Sequence, residues 1–141
     1  MDLKINLREL AMVIAENDYI ERKATLLQLD IEALKSIADE GDAVAQNVTG
    51  LRYLEGRGVE RNPALAFDYF MKSANQGFDR AKANVGVCYA EGDGVLQDTG
   101  TAFSWLRQAS QQGNEFASEW IRYLAQQRAH RNPRYLHPTI G

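Results

Sequence analysis

At 141 residues, with 45% apolar and 25% charged side chains, the chain has the size and composition of one soluble globular domain. Its formal charge of −3 gives no general reason to expect nucleic acid as a partner, and a lone cysteine, Cys88, excludes an internal disulfide. No stretch approaches the roughly 18 apolar residues that span a bilayer, and residues 7–15, broken by Arg8 and Glu9, are too polar for the apolar core of a signal peptide. The expectation is a cytoplasmic protein with no membrane or nucleic-acid partner.

In chain order, residues 7–16 and 19–29 read as one or two helices, and Asp30 caps a further helix over residues 31–40. From there the chain repeats itself. Gly41, Gly77 and Gly113 are each 36 residues apart, and residues 41–76 match residues 77–112 at 11 positions, where chance gives about two. Each unit reads as helix, loop, helix, turn. Asp42 caps a helix from about 43 to 54. Gly50 sits within it and returns as Gly86. A mid-helix glycine costs about 1 kcal/mol relative to alanine, so its recurrence points to a neighbouring helix too close for a β-carbon. Tyr53 and Tyr89 follow one turn later, where a ring fills the wider gap.

The loop Gly56-Arg57-Gly58 returns as Gly92-Asp93-Gly94, and its glycines suit a chain reversal that needs positive φ. Asn62-Pro63 opens the second helix, running to about residue 76, with a cap and a proline at the first helical position. Asp98 takes the cap role one unit on. Ala66, Tyr69, Phe70, Ser73 and Ala74 share one helical face, repeated by Ala102, Trp105, Leu106, Ala109 and Ser110. The aromatics Phe67, Tyr69, Phe70, Phe103 and Trp105 therefore read as core. Gly77 and Gly113 stand where helices stop on a left-handed residue. Asn114 caps a last helix to about residue 129, with Ala117 in register but Arg122 in place of the helix glycine and no following loop of paired glycines. Terminal repeats are atypical because one face meets water. The whole reads as a single all-α solenoid: residues 1–30 capping helices, 31–129 repeats of period 36, and 130–141 an extended tail with Pro133 and Pro138.

No constellation in the sequence suits catalysis. Cys88 lies mid-helix with no nearby base and reads as a buried structural thiol. His130 and His137 have no partner ligands, so no metal is expected. The glycine loops follow helices and lack the lysine and serine of a phosphate-binding loop. Glu55, Glu91 and Asp93 read as solvated acids. Charge is uneven: residues 1–60 carry 12 acids and 7 bases, residues 61–141 carry 7 acids and 9 bases. After the last acid, Glu119, come Arg122, Arg128, Arg131 and Arg134 with both histidines. This basic end reads as solvated, since no aromatic stacking motif accompanies it.

The run from Ala45 through Gly50-Leu51-Arg52-Tyr53-Leu54-Glu55-Gly56-Arg57-Gly58-Val59, closing with Ala66-Phe67 and Ala74-Asn75-Gln76-Gly77, resembles the Sel-one-like repeat, a relative of the tetratricopeptide repeat. The copy from Ala81 to Gly113 is similar, and the resemblance covers about residues 31–129. It implies a right-handed α-α superhelix of antiparallel helix pairs, no cofactor and no shared catalytic residues. It also implies a scaffold, adaptor or regulator that binds a protein partner on the concave wall of its first helices. Counted from the helix glycine, that wall would comprise Val44, Asn47 and Leu51, then Arg80, Ala83 and Val87, then Phe116, Glu119 and Tyr123. Phe116 and Tyr123 are its expected anchors, with Arg80 beside them for an acidic partner group. The alternative is a dedicated inhibitor, such as an immunity protein that neutralises one bacterial toxin. The opposing reading of the wall is that these residues pack against the next repeat or the tail.

Overall fold

The computed structural model describes residues 7–131, with side chains from Glu16 onward. Within them the chain forms seven helices and no strand: α1 (Leu7–Leu27), α2 (Ile31–Asp39), α3 (Ala43–Glu55), α4 (Pro63–Ala74), α5 (Asp79–Glu91), α6 (Thr99–Gln111) and α7 (Glu115–Arg131). Most helix starts are chemical. Asp30, Asp42, Asn62, Asp98 and Asn114 each accept a hydrogen bond from the backbone N–H three residues on, at 2.8–3.1 Å, so each satisfies one orphan donor of a first turn. Helix α5 is the exception: Phe78 holds the cap position and offers no acceptor. Asp79 in the first turn instead places a carboxylate near the positive end of the helix dipole.

Consecutive helices from α2 to α7 pack on one another, and the two repeats are built alike. A β-carbon on Gly50 would lie 2.6 Å from the Phe70 ring, and one on Gly86 would lie 2.7 Å from Leu106 Cγ. The recurring glycine therefore does mark the crossing of first and second helix. Tyr53 stacks on Tyr69 at 6.1 Å between ring centres, and Phe67 meets Tyr89 edge to face at 5.5 Å. Gln76 Nε2 donates to the Gly41 carbonyl at 2.8 Å, and Gln112 Nε2 to the Gly77 carbonyl at 2.9 Å. These two bonds tie the end of each second helix to the turn one period earlier. Gly58 and Gly94 both hold positive φ, at 67° and 72°. They differ in surroundings: Gly58 faces the end of the Arg52 side chain, whereas Gly94 lies directly on the Pro63 carbonyl and the Ala64 amide at the start of α4.

The structure adjusts several expectations. The N-terminal region is one helix of 21 residues, because Asn17-Asp18 is polar but contains neither glycine nor proline to break it. Of the five second-helix aromatics, Tyr69 and Phe70 are buried, but Phe67, Phe103 and Trp105 are half-buried. Among the described residues the third copy shows its first helix, and α7 runs on to Arg131, so residues 130 and 131 are helical rather than tail. Pro133, Arg134, His137 and Pro138 lie outside the described residues. No helix among the described residues is long and apolar enough to cross a membrane.

Candidate protein-docking surface

Eight of the nine positions expected on the inner wall fall into three groups, and Arg80 stands apart. Asn47 and Ala83 are 2% and 1% exposed, so they build the wall rather than face a partner. Asn47 Oδ1 accepts from Asn84 Nδ2 at 2.8 Å, which satisfies the amide inside the seam between α3 and α5. Val44, Leu51 and Val87 are half-buried and pack against the core. Phe116, Glu119 and Tyr123 are open, with the two rings 49% and 50% exposed.

Helix α1 accounts for part of this burial. It lies against α3 and reaches α5 through one cluster. The Arg80 guanidinium lies 3.6 Å from the Tyr19 ring centre, and Tyr19 in turn meets the Phe78 ring at 5.8 Å. Arg80 also donates to both oxygens of Glu16 at 2.8 Å, and Arg22 pairs with Asp42. The cation expected to greet an acidic partner is thus engaged within the chain. Glu16, Tyr19 and Lys23 of α1 form one side of a trough of about 770 Å³, whose floor and far side include Leu51, Arg80 and Phe116.

Beyond the trough, α7 carries a feature that the repeat register did not select. Trp120, half-buried, lies between the two open rings, with its ring centre 6.4 Å from Phe116 and 5.4 Å from Tyr123, both near edge to face. The three rings form a continuous ladder along one helix face, and with Glu119 they line a shallow cleft of about 260 Å³. Trp120 and Tyr123 also join Phe103 and Leu124 in lining a cleft of about 610 Å³ among α5, α6 and α7, whose charged residues are Glu91, Arg128 and Arg131. The spacing of residues 116, 120 and 123 is itself a helical face, so Trp120 was discoverable from the sequence. Counting only from the missing helix glycine passed it over.

The remaining titratable groups of note are structural. Cys88 is buried, and that burial, reinforced by Asp93 and Glu91, pushes its thiol up to about 12. A nucleophile needs the thiolate, so this sulfur is inert at neutral pH. Burial and the Asp39 carboxylate push Tyr69 up to about 12 as well; its hydroxyl donates to Asp39 Oδ1 at 3.2 Å. No group of three or more His, Cys, Asp or Glu among the described residues could hold a metal ion.

Solved structures share the architecture. A Sel1 repeat protein from Oxalobacter formigenes matches with a TM-score of 0.62 at 37% identity, over 64% of this chain and 26% of that one. A protective antigen present in uropathogenic Escherichia coli strains, displaying an SLR fold, matches with a TM-score of 0.59 at 29% identity, over 71% of this chain and 26% of that one. The chain thus spans about a quarter of the length of either structure. No curated protein matches it. The Sel1 repeat family matches in two consecutive copies, residues 43–78 and 79–114, together half of the chain. With its stacked helix pairs, recurring glycine crossings and paired-glycine loops, the chain belongs to the Sel1 repeat family.

Proposed function

We propose that this chain is a non-enzymatic adaptor or scaffold that docks a protein partner along the inner side of its helix stack, with Phe116 and Tyr123 as anchors, in keeping with the protein–protein interaction that Sel1 repeat proteins generally mediate. One observation carries the reading: three rings in edge contact form a ladder on α7, two of them half exposed. Exposed aromatic groups of this size mark interaction sites, because water gains by their coverage and rigid rings lose little entropy on binding. The adjoining trough supplies polar groups at the edge, the arrangement of an apolar centre with a wet rim.

The test is an affinity capture from lysate with the full chain, set beside the Phe116→Ala, Tyr123→Ala double variant. Anchor rings each contribute a few kcal/mol at an interface centre, so the variant should lose partner recovery by at least about tenfold. Because both rings are half exposed, its melting temperature should stay near that of the parent. Undiminished capture by the double variant would refute the anchor assignment. So would a variant that unfolds, since the rings would then be core. Several partners recovered through the same rings indicate an adaptor; one partner held tightly indicates the dedicated inhibitor.

A further inference from the structure

Among the described residues, the trough and the ladder cleft carry more acids than bases. Glu119 is the sole charged residue lining the ladder cleft, and Glu115 borders the trough next to Phe116. No ion pair among the described residues involves either carboxylate. Arg122 follows Glu119 by three residues and neighbours it on the helix surface, but it does not line the ladder cleft, and the two form no ion pair. The trough's cations are Lys23 and Arg80, and Arg80 is held by Glu16 at 2.8 Å and approached by Asp79 at 3.8 Å. Trough and ladder together set four carboxylates, Glu16, Asp79, Glu115 and Glu119, against two cations, a net of −2.

The chain also displays what such a surface accepts. Where α1 meets α5, a guanidinium lies over an aromatic ring at 3.6 Å while a carboxylate grips it with both oxygens. Arg107 repeats the ring contact on Phe103 at 5.7 Å. On α7 the same two halves of that recognition stand side by side, aromatic rings and a carboxylate one turn apart, without the guanidinium. Arginine fits this arrangement better than lysine, because its planar, weakly hydrated cation stacks on a ring and offers a fork of donors to a carboxylate.

We infer that the α7 ladder binds a basic segment of its protein partner, inserting an arginine between the Phe116–Trp120–Tyr123 rings and the Glu119 carboxylate. The sign is opposite to the acidic partner that Arg80 alone suggests. The inference rests on the docking surface proposed above and adds the chemistry of its occupant.

The test uses the full chain and the two tryptophan indole N–H resonances, with Trp105 as an internal control. A synthetic amphipathic helical peptide carrying arginines one turn apart is titrated in, then its lysine and glutamate counterparts. The arginine peptide should shift the Trp120 signal saturably and leave Trp105 in place; the lysine peptide should bind more weakly and the glutamate peptide should not bind. Glu119→Lys, at an exposed site, should weaken the arginine peptide by at least about tenfold with an unchanged helical spectrum, since a rim attraction becomes a repulsion. Binding of the glutamate peptide as tight as the arginine peptide overturns the inference while the docking surface stands. So does an affinity untouched by Glu119→Lys. No shift of Trp120 with any of the three peptides overturns the docking surface itself.

Discussion

Replacing Gly50 with alanine sets two known effects against each other. Alanine in mid-helix is favoured over glycine by about 1 kcal/mol, so an isolated α3 would become more stable. In the fold the new methyl lies 2.6 Å from both Cδ1 and Cε1 of Phe70 and 3.1 Å from the Ala66 carbonyl oxygen. Carbon atoms rest at about 3.5–4.0 Å, so α3 and α4 must separate by roughly an ångström at their crossing. Phe70 has no exposed surface, which leaves its ring no room to swing aside, and the Ala66 oxygen belongs to the α4 backbone. Overpacking of this kind costs about 1–3 kcal/mol, and this site belongs at the upper end. The net is a loss of about 1–2 kcal/mol, a melting temperature lower by roughly 4–8 °C for a chain of this length. Gly100→Ala is the control. Gly100 lies in α6 with nothing nearer than the Asp98 carboxylate at 3.5 Å, so the same substitution should hold or raise the melting temperature. Thermal melts by circular dichroism decide the matter. A Gly50→Ala protein as stable as the parent would mean that the recurring glycine has a cause other than helix crossing.

The paired-glycine loops should respond unequally. Gly58→Ala meets the Arg52 guanidinium, a side-chain end held by the Arg57 and Leu29 carbonyls but able to shift, and pays chiefly for its positive φ, about 1 kcal/mol, whereas Gly94→Ala also collides with the Pro63 backbone; equal melting losses would refute the inter-repeat contact. In alkaline solution the fold should weaken. Cys88 and Tyr69 are held neutral, raised from ordinary values of 9.0 and 10.0 to about 12, so their contribution is complete below pH 9 and is lost as pH climbs toward 12, where only the unfolded chain ionises readily. Melts of the parent and of Cys88→Ala across that window should show the variant declining later; parallel curves would exclude the thiol. Tyr19→Ala removes the ring under Arg80, and hydrogen exchange should quicken in α1 while α3 to α6 keep their protection. Exchange rising throughout the chain would make α1 part of the cooperative core instead.

Much of the architecture was legible because repeats encode it locally. A cap forms between residues three apart, a turn needs its own glycine, and a helix face shows in the spacing of its apolar residues. Those signals place the starts of α2, α3, α4, α6 and α7 from Asp30, Asp42, Asn62, Asp98 and Asn114. Recurrence at 36 residues then shows that Gly50 and Gly86 do the same thing, even before Phe70 and Leu106 are seen to be what they make room for.

The proposed docking surface was a different matter. Its charge depends on Glu16, 64 residues from Arg80 along the chain, and no local pattern states that α1 will lie over the wall of α3 and α5. A repeat register selects wall positions but not their exposure, so Asn47 and Arg80 looked equivalent; the packed structure seals the first in a seam and gives the second an internal carboxylate. Pairing between distant side chains is a property of tertiary geometry, because the free energy of each contact depends on which other helix arrives there. The sequence alone determined a stack of helix pairs, and its repeat register put Phe116 and Tyr123, but not Trp120, among the wall positions. Only the tertiary structure decided that the wall's arginine is already occupied and that the trough and ladder cleft together carry a net negative charge.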